Sequence, residues 1–126
     1  MLSDDDIGRI VDRIVARHAP LVVGTFGSYA VGTARAGSDL DLFVIKDGAE
    51  QPVARRHAIE RVLFGVLHPL DIHVFPPEEF EEAAREALSF AWVIVRQARI
   101  YHWTEEAKRR VPSCFTPTTA SVSGIP

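Results

Sequence analysis

Gly27-Ser28-Tyr29-Ala30-Val31-Gly32-Thr33-Ala34-Arg35-Ala36-Gly37-Ser38-Asp39-Leu40-Asp41-Leu42 is the most informative segment of this chain. It follows one apolar run, Leu21 to Phe26, and ends inside a second, Asp39 to Ile45, with a Gly- and Ser-rich turn between them. If Asp39 to Lys46 is a strand, its side chains alternate with period two. Asp39, Asp41 and Phe43 then share one face, and Leu40, Leu42 and Val44 the other. Two carboxylates point the same way at the start of a strand that otherwise reads as buried. Acids are rarely buried unpaired, and neighbouring like charges repel. A divalent cation removes both objections, because magnesium takes carboxylate oxygens and completes its shell with water and substrate phosphates. A bare Asp-x-Asp is short and common, and alone it also fits a turn residue followed by a solvated edge acid. What gives it weight is the Gly-Ser pair ten residues upstream.

Working outward, Leu21 to Phe26 is a first strand, and Gly27-Ser28 turns the chain into a short helix from Tyr29 to Gly32. Glycine allows close backbone approach, a helix start presents free N–H groups to an anion, and Ser28 adds a hydroxyl. Together they form a cradle for the terminal phosphates of a nucleotide. Upstream, residues 4–18 read as a helix. Ile7, Ile10, Val11, Ile14 and Val15 follow helical spacing, Ser3 is the N-cap, and Asp4 to Asp6 suit the positive end of the dipole. Downstream, Pro52 to Leu67 reads as a helix with a core stripe of Ile59, Val62, Leu63, Val66 and Leu67, and with Arg55, Arg56 and Arg61 on a solvated face. Leu70 to Phe75 is a third strand, with Asp71, His73 and Phe75 on one face. Pro77 to Arg96 is largely helical, with Leu88 to Phe90 the place for a break. Phe80, Ala83, Ala84, Ala87, Leu88 and Ala91 trace its apolar stripe. Ala98 to Trp103 is a last strand, and Thr104 caps a short helix, Glu105 to Arg110.

The spacing of Gly27-Ser28 to Asp39-Leu40-Asp41 resembles the signature of the DNA polymerase β-like nucleotidyltransferase superfamily. The wider pattern, Gly-Ser-Tyr-Ala-x-Gly then Arg-x-x-Ser-Asp-Leu-Asp-Leu, is most similar to the minimal nucleotidyltransferase (MNT) branch, over roughly residues 20 to 103. Val31 departs from it, since many minimal members carry Arg there. The resemblance implies an α/β (α+β) nucleotidyltransferase fold: a mixed sheet of about four strands, helices mainly on one face and the acids on the other. It also implies a third carboxylate from a strand beside the Asp-x-Asp strand, and Asp71 is the residue at that place. Asp39, Asp41 and Asp71 are then the catalytic and metal-binding acids, holding two Mg2+ or Mn2+ ions. Gly27 and Ser28 bind the nucleotide phosphates, and Arg35 is a further phosphate contact. The expected reaction is transfer of a nucleoside monophosphate to an acceptor hydroxyl, with ATP as donor. Because minimal relatives work beside a HEPN-type protein, the implied setting is a toxin–antitoxin pair in which the antitoxin adenylylates the toxin. Two alternatives stand beside it: a binding module that neutralises a partner by contact alone, and a dimeric small-molecule nucleotidyltransferase.

Size and composition bound these readings. A chain of 126 residues, 47% hydrophobic and 25% charged, is ordinary for one globular domain. That domain is expected over residues 1–111, followed by a Pro-, Ser- and Thr-rich tail over 112–126. The net charge of −3 argues against a generic electrostatic nucleic-acid binder. A single cysteine, Cys114, fits a reducing, cytoplasmic setting. No segment has the apolar length of a membrane span, and the N-terminus is acidic, unlike a signal peptide. A homo-oligomer is compatible with all of this.

Overall fold

The computed structural model describes residues 1–48 and 50–111. The tail expected over 112–126, with Cys114, lies outside the described residues. The order of elements is α1 (Asp4–His18), β1 (Val22–Phe26), α2 (Ser28–Val31), β2 (Leu40–Ile45), α3 (Pro52–Val62), β3 (Leu70–Phe75), α4 (Pro77–Ala84), α5 (Phe90–Gln97), β4 (Arg99–Trp103) and α6 (Glu105–Arg110).

The four strands form one mixed sheet in the order β3-β2-β1-β4. β1 lies antiparallel to both β2 and β4, and β2 lies parallel to β3. A parallel neighbour requires a crossover, and α3 supplies it between β2 and β3. The central strands β1 and β2 are apolar nearly throughout because both of their faces are covered. The two longest helices, α1 and α3, share one face. Ile7, Ile10, Val11 and Ile14 from α1, with Ile59 from α3 and Leu63 just beyond it, pack on Leu40, Leu42, Val44 and Val23. On the face that carries Asp41, a second apolar layer gathers Phe43 and Ile45 under Phe80 of α4, Ile94 of α5 and Ala107 of α6. Helices thus cover both faces of the sheet, rather than mainly the one opposite the acids. Among the described residues no helix is long and apolar enough to cross a membrane.

α1 starts as its sequence dictates. The Ser3 hydroxyl accepts from the Asp6 N–H, and the Asp6 carboxylate accepts from the Ser3 N–H, a reciprocal capping box. α3 departs from expectation. It ends at Val62 rather than Leu67, because the chain turns through Gly65 at φ +95°. Leu67 therefore leaves the helical stripe and is 99% exposed. Arg55, expected on a solvated face, is instead 7% exposed and faces Glu79 of α4 across 3.5 Å. The long helix after Pro77 is broken, with Leu88 at φ +71° and exposed between α4 and α5. Leu88 thus leaves the stripe assigned to it, and the Ser89 hydroxyl restarts the helix by accepting from the Trp92 N–H.

Candidate active site

The acids meet where the start of two strands adjoins the end of a third. Asp41 is the register partner of Phe26 on one side and of Asp71 on the other. Register partners on adjacent strands point to the same face, so Asp41 and Asp71 project together. Asp39 lies just before β2, exposed, at the mouth of the same group. Asp41 is half-buried, and its carboxyl is held above the ordinary carboxylate range. Burial is the main cause, followed by the negative charges of Asp71 and Asp39; His73 opposes the shift. Asp39 and Asp41 have no hydrogen bond or ion pair to a cationic side chain among the described residues.

Gly27 sits opposite Asp41 with φ +72° and ψ −152°, a conformation open essentially to glycine alone. A Cβ there would run into Asp41 Oδ2 and lie 3.2 Å from its carboxyl carbon. The Gly27 N–H donates to Gln97 Oε1 at 3.0 Å, so this N–H is already committed to α5. What Gly27 offers is room beside the carboxylate. Ser28 opens α2, and its hydroxyl has no partner among the described residues. Arg35 lies in the exposed turn that leads into Asp39. Its backbone N–H donates to Ser38 Oγ and its carbonyl accepts from the Ser38 N–H, both at 2.9 Å. No contact joins its guanidinium to the acids.

Two neighbours escaped sequence reasoning. Gln97 lies 70 residues from Gly27, and no local pattern links them. Phe90, 59% exposed at the first position of α5, stands 4.5 Å from the His73 ring between centroids. His73 in turn lies 5.4 Å from Phe26 and bonds Asp71 Oδ2 through Nε2 at 3.2 Å. An aromatic wall thus borders Asp71, which is itself 55% exposed. The only sequence signal was an aromatic residue after a helix break, and the break reads as punctuation.

Among the described residues no three His, Cys, Asp or Glu side chains are arranged to cage a metal ion. The donor set nonetheless fits a hard divalent cation. It is all carboxylate, it has no Lys or Arg partner among the described residues, and burial followed by like charge raises Asp41. Such a set suits an ion that keeps waters and substrate phosphates in its shell.

The profile of the nucleotidyltransferase domain family matches residues 7–107. The chain belongs to that family. Solved structures with the same fold agree with this placement of the nucleotidyltransferase domain. One is a toxin–antitoxin structure with AMP-PNP, 20% identical, with a TM-score of 0.56 over 90% of this chain and 84% of that one. Two others are mutants of the toxin–antitoxin MntA–HpeT. They are 18% and 20% identical, each with a TM-score of 0.55, over 95% and 89% of this chain and 86% and 85% of theirs. No curated protein sequence matches the chain.

Within this nucleotidyltransferase domain, Gln97 is expected to act through Gly27. Gln97→Leu keeps the bulk but leaves the Gly27 N–H unpaired, at a cost of about 1–3 kcal/mol. Gln97→Glu keeps an acceptor and should recover most of the loss in a denaturant titration.

Proposed function

We propose that this chain transfers AMP from ATP to a hydroxyl of a partner toxin of the HEPN type, and so acts as the antitoxin of a cytoplasmic MNT pair. The observation that carries the reading is the register of Asp41 with Asp71, flanked by Asp39, opposite a glycine that only fits without a Cβ. Family membership supplies the reaction class. Structural neighbours described as toxin–antitoxin pairs, one of them with AMP-PNP, support the partner and the adenosine donor.

In this reading residues 1–111 are the catalytic domain. Asp39, Asp41 and Asp71 would hold two Mg2+ ions, with Mn2+ a substitute. When bound, these ions neutralise the triphosphate and raise the acidity of the attacking hydroxyl. The chain's own residues position the reactants. Gly27 leaves space for the β and γ phosphates against the strand ends, Ser28 donates its hydroxyl to them, and Arg35 reaches them from the exposed turn. The acceptor oxygen attacks the α phosphorus in line, and the bond to the pyrophosphate oxygen breaks. The hydroxyl proton passes to the Asp71 carboxylate, which His73 orients. Phe90, at the border of Asp71, is the surface an incoming acceptor passes.

Intact-mass analysis tests the reading. The protein encoded beside this chain would be incubated with it, magnesium and each nucleoside triphosphate in turn. A gain of whole AMP units with ATP, absent with an Asp39→Asn, Asp41→Asn double variant, is the expected result. A stable complex with no mass gain would overturn transfer in favour of the binding module. A labelled small molecule with unlabelled protein would move the acceptor to that class.

A further inference from the structure

We propose that the cleft between α1 and α3 is a docking groove for an acidic segment of a partner protein, separate from the carboxylate site. The two helices lie on the face of the sheet opposite the acids. Between them is a cleft of about 710 Å3 whose polar lining includes Arg13, Arg17, Arg61 and His18, and no Asp or Glu. Arg13 donates to the Phe64 carbonyl at 2.9 Å, which ties the helix to the loop after α3. His18 Nε2 donates to the Ala58 carbonyl at 3.1 Å, and its Nδ1 accepts from Lys46 at 3.3 Å. One further cation thus stands behind the ring.

The ionisable side chains that line this cleft are all basic. The chain has 17 acids against 14 Lys and Arg. Arg9, Arg55, Arg56, Arg99, Lys108 and Arg110 all face carboxylates within 4 Å. Arg13, Arg17 and Arg61 have no such partner among the described residues. Residues 112–126 and Ala49 contain no Asp or Glu. The carboxylates Asp4 and Asp6, at the other end of α1, are already bonded to Arg99 and Tyr101 and to Arg9 and Ser3.

The cationic run is also short. Towards the start of α1, Asp4, Asp5 and Asp12 line a separate cleft with Arg9, Arg99 and Tyr101. Phe64, in the lining, is 87% exposed, and Leu67 just beyond it is bare. Guanidinium forks match carboxylates in two-pronged fashion, and Arg beside exposed aromatic and aliphatic surface is the composition of a protein contact. The segment that fits carries Asp or Glu residues interleaved with apolar ones. A partner held here leaves the carboxylate face clear, so docking and chemistry can proceed on opposite sides of the sheet.

The test is fluorescence anisotropy with the full chain and three probes: a labelled peptide rich in Glu and Leu, a Lys-rich peptide, and single-stranded oligo-uridine RNA. The acidic peptide is expected to bind most tightly and to weaken with added salt. Its Kd should rise about tenfold or more in an Arg13→Glu, Arg17→Glu, Arg61→Glu variant. Asp41→Asn should bind it unchanged, which separates this proposal from the transfer reaction. Circular dichroism checks the fold of the charge-reversed variant, and an Arg17→Ala, Arg61→Ala pair replaces it if it does not fold. Equal binding by native and variant chains, tighter binding of RNA, or no peptide binding would each overturn the proposal. So would a concentration-dependent dimer that the variant abolishes, because the groove would then belong to a second copy.

Discussion

Asparagine at position 41 is expected to lower nucleotidyl transfer by about three orders of magnitude or more, yet to make the chain more heat-resistant at neutral pH when divalent ions are chelated. Both effects come from one carboxylate. Asp41 lies between Phe26 and Asp71 in the sheet, so it is the acid with the least water and the most like charge. Burial, then Asp71 and Asp39, hold its proton on above the ordinary range. A carboxyl whose folded pKa exceeds its unfolded one favours folding in its protonated form. That contribution is whole below the unfolded value, about pH 4, and is lost as pH rises through the higher folded value. At neutral pH the ionised Asp41 therefore strains the metal-free fold, and Asp41→Asn relieves it. Thermal melts in chelator across this range should show a gain of at most a few degrees at pH 7 that shrinks towards zero in acid. Added magnesium should stabilise the native chain and not the variant, because only the native chain keeps the donor set. Catalysis runs the other way, since bound cations supply much of the transition-state stabilisation when a phosphorus centre is attacked. A variant melting below the native chain in chelator would mean that Asp41 has a favourable partner instead.

The parts of this fold that were legible in the sequence are those set by local pattern. The α1 stripe and its Ser3 cap, the strand Leu70–Phe75 and the short helix Glu105–Arg110 follow from spacing and punctuation alone. The Leu40-Asp41-Leu42 alternation was legible for the same reason, whereas Asp39, read as part of the strand, lies just before it. What the sequence did not display is set across the chain. Leu67 reads as core as long as α3 is taken to continue, and it ends because the chain turns at Gly65. Arg55 reads as solvated until α4 folds over it and brings Glu79. Asp71 was reached through resemblance; it is the parallel pairing of β3 with β2 that sets it beside Asp41. Gln97 and Phe90 come from beyond a helix break and join the site only by tertiary packing.

Alanine at Gly27 is expected to cost both stability and activity, whereas alanine at Gly32 should cost mainly stability. Each glycine has positive φ, +72° and +86°, so a side chain at either is strained. Gly27, with ψ −152°, lies where non-glycine residues incur about 1–3 kcal/mol. The left-handed helical region of Gly32 costs an alanine roughly 1 kcal/mol. The two differ in what the new methyl meets. At Gly32 nothing lies within 4 Å, while at Gly27 it meets the Asp41 carboxylate. To admit it, either the carboxylate swings away from Asp71 or the backbone shifts and stretches the bond to Gln97. Each moves a reacting group by a distance of the order that costs about a hundredfold in rate. Denaturant titration and single-turnover kinetics on the two variants separate strain from collision. The expected pattern is a clear loss of stability in both, with kcat falling about a hundredfold only in Gly27→Ala. Equal kinetic losses would assign the requirement to backbone freedom in the turn. An active Gly27→Ala would show that Asp41 does its work from a rotamer other than the one beside Gly27, and would move the phosphate cradle towards Ser28 and the start of α2.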